Sequence, residues 1–123
     1  MAKKIAKVSE RDSYSVGTGT RDITAAVDVG LGQIGTVTMS LEDDVVADEE
    51  APLPPQTLGK GQDLVDQILL VEVTVTDVSV MTNKMKVVVR LAGGSASKRV
   101  EATGEVQDEG ESVFFTIAVR FKR

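Results

Sequence analysis

The stretch Val27–Gly35 contains glycines at the GxGxxG spacing of dinucleotide-binding turns, namely Gly30, Gly32 and Gly35. Such a turn follows a strand and opens a helix whose N-terminus binds the pyrophosphate. The residues that follow, Thr36–Thr38, are β-branched and disfavour a helix. The next apolar pair, Val45 and Val46, also comes too soon for a crossover helix and its loop, which together need at least ~10–12 residues. We therefore interpret the glycines as the turn of a β-hairpin.

A second group of residues with chemical potential is acidic. Residues 42–66 carry eight acidic side chains and one basic one, in a chain of net charge −5. Asp43, Asp44, Asp48 and Glu49 are weak candidates for Ca²⁺ ligands, because Ca²⁺ takes several oxygen ligands. The stretch lacks the spacing of an EF-hand loop, so a solvated loop is the favoured interpretation. A third interpretation, between the solvated loop and the Ca²⁺ site, is an acidic contact for a basic patch on a partner protein.

The composition argues against catalysis. The chain has no His and no Cys, so it offers neither an imidazole base nor a thiolate nucleophile. Paired carboxylates remain, but Glu72, Asp77, Glu101 and Glu105 fall at outward positions of predicted strands. We expect a protein that is not an enzyme, has no cofactor and has no metal beyond the weak Ca²⁺ candidates.

Charge and hydropathy also limit the partners and the location. The net negative charge argues against nucleic acid, whose binding depends on Lys and Arg. The longest apolar stretch is interrupted by Glu72 and Asp77, so we predict no transmembrane segment. The basic start "MAKK" has no apolar stretch behind it and does not resemble a signal peptide. The prediction is a protein of the cytoplasm or of an assembled particle, with no membrane partner.

The strongest structural signal is alternation with period two, which is typical of strands with one face on a core and one in water. Four stretches in the C-terminal half show it: "ILLVEVTVTD", "KMKVVVRLAGG", "KRVEATGEV" and "SVFFTIAVRFKR". In the N-terminal third, "DITAAVDVG" and "GTVTMSL" alternate in the same way, and an earlier strand is possible around Ile5–Val8. The pattern predicts an all-β fold.

The connections predict antiparallel neighbours. A tight turn at Thr82-Asn83 would pair the first two C-terminal strands, and their register then requires a β-bulge near Thr76–Asp77. The alternative is an open loop over Asp77–Asn83. With the Gly-containing turns "LAGGSAS" and "QDEGES", the simplest interpretation is a C-terminal four-stranded meander.

Residues 42–63 show neither the period of two that is typical of strands nor the period of 3.6 that is typical of helices. We interpret them as a long acidic, Pro-rich and Gly-rich excursion or linker. A short helical turn near Asp63–Gln67, capped by Asp63, is the one plausible helix. The sequence thus predicts a single domain over residues 1–123. It would be an antiparallel β-sandwich, Ig-like or jelly-roll-like, with six to seven strands.

Two apolar residues lie on otherwise polar strand faces. Val88 and Phe114 would suit surfaces covered by another subunit, and the basic Arg120 and Lys122 would suit an acidic neighbour. We therefore expect a non-catalytic structural or assembly module that acts through protein–protein contacts, as a homo-oligomer or in a larger assembly. Structural subunits of phage-like particles or secretion assemblies are an analogy of composition only. The alternative is a ligand-binding module, Ca²⁺-dependent through the acidic segment.

Overall fold

The computed structural model describes residues 6–17, 20–108 and 110–123, which form nine strands and one short helix. The strands are β1 (Ala6–Ser15), β2 (Asp22–Gly30), β3 (Ile34–Leu41), β4 (Asp44–Glu50), β5 (Leu53–Lys60), β6 (Ile68–Thr76), β7 (Lys84–Ala92), β8 (Lys98–Glu105) and β9 (Ser112–Lys122). Helix α1 (Gly61–Leu64) lies between β5 and β6. The all-β prediction is confirmed, but the described residues hold nine strands rather than six to seven. The strand expected around Ile5–Val8 begins at Ala6, while Ile5 lies outside the described residues.

The strands form two sheets. One has five strands in the order β1-β9-β6-β3-β4, and the other has four in the order β5-β2-β7-β8. Neighbouring strands are antiparallel except for β1 and β9, which pair in parallel from Ala6 with Val113 to Ser15 with Lys122. The prediction of a purely antiparallel arrangement is therefore wrong at β1.

One continuous core lies between the sheets, and the predicted alternation accounts for it. Each strand that was predicted from period two turns its apolar phase inward, and short aliphatic side chains fill most of the space. The fully buried positions include Ile23, Ala25, Val27, Val37, Met39, Leu69, Val71, Val73, Val75, Met85, Val87, Val89, Val113, Phe115, Ile117, Val119 and Phe121.

The predicted C-terminal meander is wrong. β6 lies between β3 and β9 in the five-stranded sheet, whereas β7 and β8 belong to the other sheet. Thr76 pairs with both Ile34 and Ser112, so β6 ends in regular register without the predicted β-bulge. Residues 77–83 form the open loop that was the alternative. Alternation predicts which side of a strand is buried. Because the apolar residues of both sheets point into the same core, alternation does not predict which sheet a strand joins.

The glycine pattern forms a tight turn, but the hairpin prediction is wrong. Leu31 and Gly32 have φ of 63° and 77°, and the Gln33 amide donates to the Gly30 carbonyl at 3.4 Å. The turn joins β2 of one sheet to β3 of the other, so the two strands do not pair. Strand β3, not a helix, follows the glycines.

The predicted excursion over residues 42–63 is also wrong, because this stretch forms β4, β5 and α1. The chain passes from the five-stranded to the four-stranded sheet at Ala51-Pro52. Strand β5 tolerates Pro54 and Pro55 because it is an edge strand and because the two prolines lie at a register shift, where Val27 pairs with Leu53 and Ala25 with Gln56. Helix α1 has Lys60 at its N-cap, so Asp63 lies within the helix and does not cap it.

Candidate protein-interaction surfaces

The loop after β6 is held in place by one buried glutamine. Gln33 follows the tight turn between β2 and β3, and its carboxamide makes four hydrogen bonds to the loop backbone. Its Oε1 accepts from the amides of Val78 and Ser79 at 2.8 and 3.0 Å. Its Nε2 donates to the carbonyls of Thr82 and Lys84, both at 3.1 Å. One side chain therefore fixes both arms of the loop.

This loop displays apolar side chains at its tip. Val78, Val80 and Met81 are 47%, 83% and 88% exposed. Ser79 stabilises the tip, since its hydroxyl accepts from the Met81 amide at 3.1 Å. We call residues 78–81 the apolar loop. Exposed side chains of this size on a fixed backbone are typical of a contact element rather than of a solvated connection.

The base of the apolar loop contains a buried carboxyl group. Asp77 is 1% exposed, and within the part of the chain that the structure describes neither of its carboxyl oxygens has a hydrogen-bond partner. Its backbone bonds the turn before β9, donating to Glu111 at 2.9 Å and accepting from Gly110 at 2.8 Å. Burying a polar group without a hydrogen-bond partner lowers the free energy of unfolding. The Asp77 carboxyl at the base of the loop therefore destabilises the folded chain.

Val88, predicted to lie on a surface covered by another subunit, is 5% exposed in the single chain. Its cross-strand neighbours are Asp28 on β2 and Glu101 on β8. Each of these is in an ion pair with a residue two positions from Val88. Arg90 contacts Asp28 at 3.2 Å, and Lys86 contacts Glu101 at 3.5 Å. The chain's own charged side chains thus surround Val88, and it offers no free surface.

Strand β9 carries three of the predicted interaction residues on the outer face of the five-stranded sheet, namely Phe114, Arg120 and Lys122. Phe114 is half-buried between Lys7 of β1 and Thr74 of β6. Arg120 and Lys122 are exposed, and Arg120 contacts Asp66 at 3.4 Å. We call this outer surface the five-stranded face. Three of the four predicted interaction residues therefore share one face, although Phe114 lies six positions from Arg120 along β9, which is about 20 Å at ~3.4 Å per residue.

Short polar side chains dominate the five-stranded face. The register places Ser or Thr across most of its rows, as in the row Ser9, Thr116, Glu72, Thr38 and Asp48. Its exposed apolar residues are Ile34, Val45 and Ile68. Because hydroxyl side chains are short, this face is flat enough for another surface to approach it closely.

The acidic candidates lie along one edge of the same sheet. Asp43 is in the turn before β4, and Asp44, Asp48 and Glu49 are exposed on β4. Asp48 accepts a hydrogen bond from the Thr38 hydroxyl at 3.2 Å. Among the described residues no group of three or more acidic side chains is placed to hold a metal ion. The structure therefore spreads these carboxylates along a strand and does not converge them on a point.

A cleft of about 310 Å³ opens at the other end of the molecule from the apolar loop. It is lined by Ser13, Tyr14, Ser15, Ser95, Ala96, Ser97, Lys98 and Lys122. Lys98 contacts Asp12 at 2.7 Å and also donates to the Ser13 carbonyl at 2.7 Å. The hydrogen bond from Lys98, aided by the Ser13 amide, lowers the pKa of the Asp12 carboxyl below its ordinary value. Lys98 is therefore engaged in joining the edges of the two sheets.

The loop over residues 77–83 was predicted only as the alternative to a bulged strand, and the sequence did not indicate the role of Gln33. One signal was present, because Val78 and Val80 are out of phase with Val71, Val73 and Val75. That phase slip was interpreted as a bulge inside a continuous strand. It marks instead the end of β6 and the start of a loop whose apolar residues face solvent.

No protein family matches the sequence, and neither the curated proteins nor the solved structures include a match. In the described part of the chain no helix is long and apolar enough to span a membrane. The interpretation of function therefore depends on the surfaces described above.

Proposed function

We propose that the protein is a non-catalytic structural or assembly module that acts through protein–protein contacts, as an oligomer or as a subunit of a larger assembly. The observation that carries the proposal is the apolar loop, in which the four hydrogen bonds of Gln33 fix the backbone on both sides of the exposed Val80 and Met81. A contact element that is ordered before binding loses less conformational entropy on association. The loop is therefore suited to insert its side chains into an apolar depression of a neighbour.

The chemical groups of the chain support a non-catalytic role. The sequence supplies no imidazole and no thiol. Glu101 is engaged in ion pairs with Lys86 and Arg99, at 3.5 and 2.9 Å. This carboxylate stabilises neighbouring strands.

The finer fold assignment belongs to the same proposal. Two facing sheets with one shared core support a β-sandwich of the Ig-like or jelly-roll-like kind. Strand β3 pairs with β6, and the strands on either side of them in the sequence, β2 and β7, pair with each other. This nested order of pairing favours the jelly-roll-like form. A module of this kind would act in the cytoplasm or within an assembled particle.

Light scattering of the purified chain over a wide concentration range tests the proposal. We expect self-association that increases with concentration, and we expect the double variant Val80→Ser with Met81→Ser to weaken it by about tenfold or more, since each side chain loses apolar contact area. The matched control is Lys60→Ser with Arg99→Ser, which shortens two exposed side chains on the four-stranded sheet, away from the apolar loop and the five-stranded face. A wild-type chain that stays monomeric at the highest concentration would contradict the proposal.

A further inference from the structure

We propose that the five-stranded face packs on the same face of a second copy around a two-fold axis that runs along the strands, between β9 and β6. The inference rests on the proposed function and deepens it, because it identifies one partner as a copy of this chain. Four observations carry it: the separation of charge across the face, the symmetry that this separation requires, the size and texture of the face, and the character of the sheet edges.

Charge on the five-stranded face is divided between its two sides. On β1 and β9 the outward charged residues are basic, namely Lys7, Arg11, Arg120 and Lys122. On β6 and β4 they are acidic, namely Glu72, Asp48 and Glu50. Outward positions follow from the register, in which each of these residues alternates with core residues or pairs with one that does. The sign of the charge changes between β9 and β6.

This division selects one symmetry. A two-fold axis along the strand direction at the boundary between β9 and β6 lays β9 of each copy over β6 of the other and β1 over β3, so that the acidic strand β4 lies beside the basic strand β1 of the partner. An axis across the strands would instead place like charges together. In the first arrangement β9 of one copy faces β6 of the other, so Glu72 lies over Thr116 and close to the basic strand β1 of the partner. Self-complementary patches of this kind are what a two-fold dimer requires.

The face has the size and texture of an interface. In this arrangement four strands of each copy overlap, and at ~4.8 Å spacing and about nine residues at ~3.4 Å they give a footprint of roughly 600 Å², the lower end of the range per partner of a stable complex. Phe114, Leu70 and Ala118 are half-buried near the boundary between β9 and β6. Covering them would bury apolar surface on both sides of the central row, in which Glu72 lies close to the basic strand β1 of the partner.

The sheet edges are poorer candidates for association. Edge strands β1, β4 and β8 each carry four charged residues, and edge strand β5 carries Pro54 and Pro55. Charged residues and prolines on edge strands prevent pairing with another chain. A second copy is therefore expected on the face of the sheet and not along its edge.

Charge reversal tests the arrangement, using analytical ultracentrifugation of the full chain. We expect the variants Lys7→Glu with Arg11→Glu, and Asp48→Lys with Glu72→Lys, each to raise the dimer dissociation constant at least about tenfold, because each places like charges over one another twice. These side chains lie on the outer face, so folding is checked by circular dichroism and thermal melting and is expected to be unchanged. The matched control is Lys60→Glu with Arg99→Glu, on the four-stranded sheet, which should leave dimerisation unaffected.

Mixing the two reversed variants gives the decisive result. In an equimolar mixture each reversed side faces its opposite charge on the other variant, and the unreversed sides remain complementary, so a heterodimer should form with close to wild-type affinity. Dimers that persist in both reversed variants, or a mixture that stays monomeric, would overturn the inference while leaving self-association, and with it the proposed function, in place. A wild-type chain that does not associate would remove both.

Discussion

At the scale of single residues, the sequence predicted the buried side chains of the strands but not the hydrogen-bonding role of Gln33. Leu69, Val71 and Val73 were assigned to the core from alternation alone, because a strand sends successive side chains to opposite faces. Val88 was predicted to need a partner, yet neighbouring ion pairs surround it within the chain. Gln33 was not identified from the sequence. Its hydrogen bonds join residues that are separated by 45 to 51 positions along the chain, and such contacts leave no local pattern.

Gln33→Ala should release the apolar loop. The substitution leaves two amides and two carbonyls of the loop without their partner, and we expect it to lower the free energy of unfolding by about 1–3 kcal/mol. Hydrogen exchange at the Val78 and Ser79 amides should become faster. Gln33→Glu keeps the shape but turns a carboxylate oxygen toward two carbonyls, so a similar loss is expected.

Urea denaturation and exchange measurements check this prediction. The control is Gln56→Ala, which removes one exposed hydrogen bond, to the Pro54 carbonyl. If Val78 and Ser79 kept their protection in Gln33→Ala, the glutamine would not be what holds the loop.

The Asp12–Lys98 pair gives a prediction for pH. The pKa of Asp12 is lowered in the folded chain, mainly by the hydrogen bond from Lys98, so the pair contributes stability at pH values above the unfolded pKa of about 3.9. That contribution is lost as pH falls through the lower folded pKa. Because both side chains are partly exposed, solvent screening limits it to at most about 1 kcal/mol.

Thermal melts between about pH 6 and pH 2 measure the effect. Asp12→Asn should lower stability near neutral pH and should flatten the decline at acidic pH. Asp43→Asn, at an exposed turn, is the matched control and should leave the acid limb of the profile unchanged. Superimposable profiles for wild type and Asp12→Asn would show that the pair contributes nothing.

At the scale of elements, strand positions were predictable and strand partners were not. The six stretches with clear alternation became β2, β3, β6, β7, β8 and β9. The strands β4 and β5 were missed because they are edge strands. One is acidic and the other contains prolines, and both features protect an edge while hiding the alternation that reveals a strand. The same features produced the interpretation of an excursion over residues 42–63.

The loop between β7 and β8 depends on a glycine. Gly93 has φ of 98° and lies against the first residue of β2, where a methyl group on its Cα would overlap the Asp22 carbonyl oxygen. We expect Gly93→Ala to destabilise the chain by about 2 kcal/mol or more, from backbone strain and overlap together. Gly30→Ala is the control, since the nearest atoms to its added methyl group lie 3.9 Å away; its effect should stay within about 1 kcal/mol. Equal stabilities of the two variants in urea denaturation would refute this.

At the scale of the whole molecule, the sequence predicted the class of the fold and the presence of two apolar layers, but not the route of the chain through them. Three tight connections in series suggested a meander, and two of them instead carry the chain from one sheet to the other, at Asp77–Asn83 and between β8 and β9. The buried phase of β6 and that of β7 meet in one core from opposite sides. A pattern along the chain therefore cannot distinguish strands that pair from strands that face each other.

The parallel pairing of β1 with β9 has a consequence for biosynthesis. Of the nine described strands, β1 is synthesised first and its hydrogen-bonding neighbour β9 last, and their pairing brings Ala6 next to Val113. Until β9 emerges, the nascent chain cannot complete the five-stranded sheet. Tyr14 then also lacks its edge-on contact with Phe121. Contacts this distant along the chain also slow the conformational search, so the five-stranded sheet cannot be completed before β9 has been synthesised.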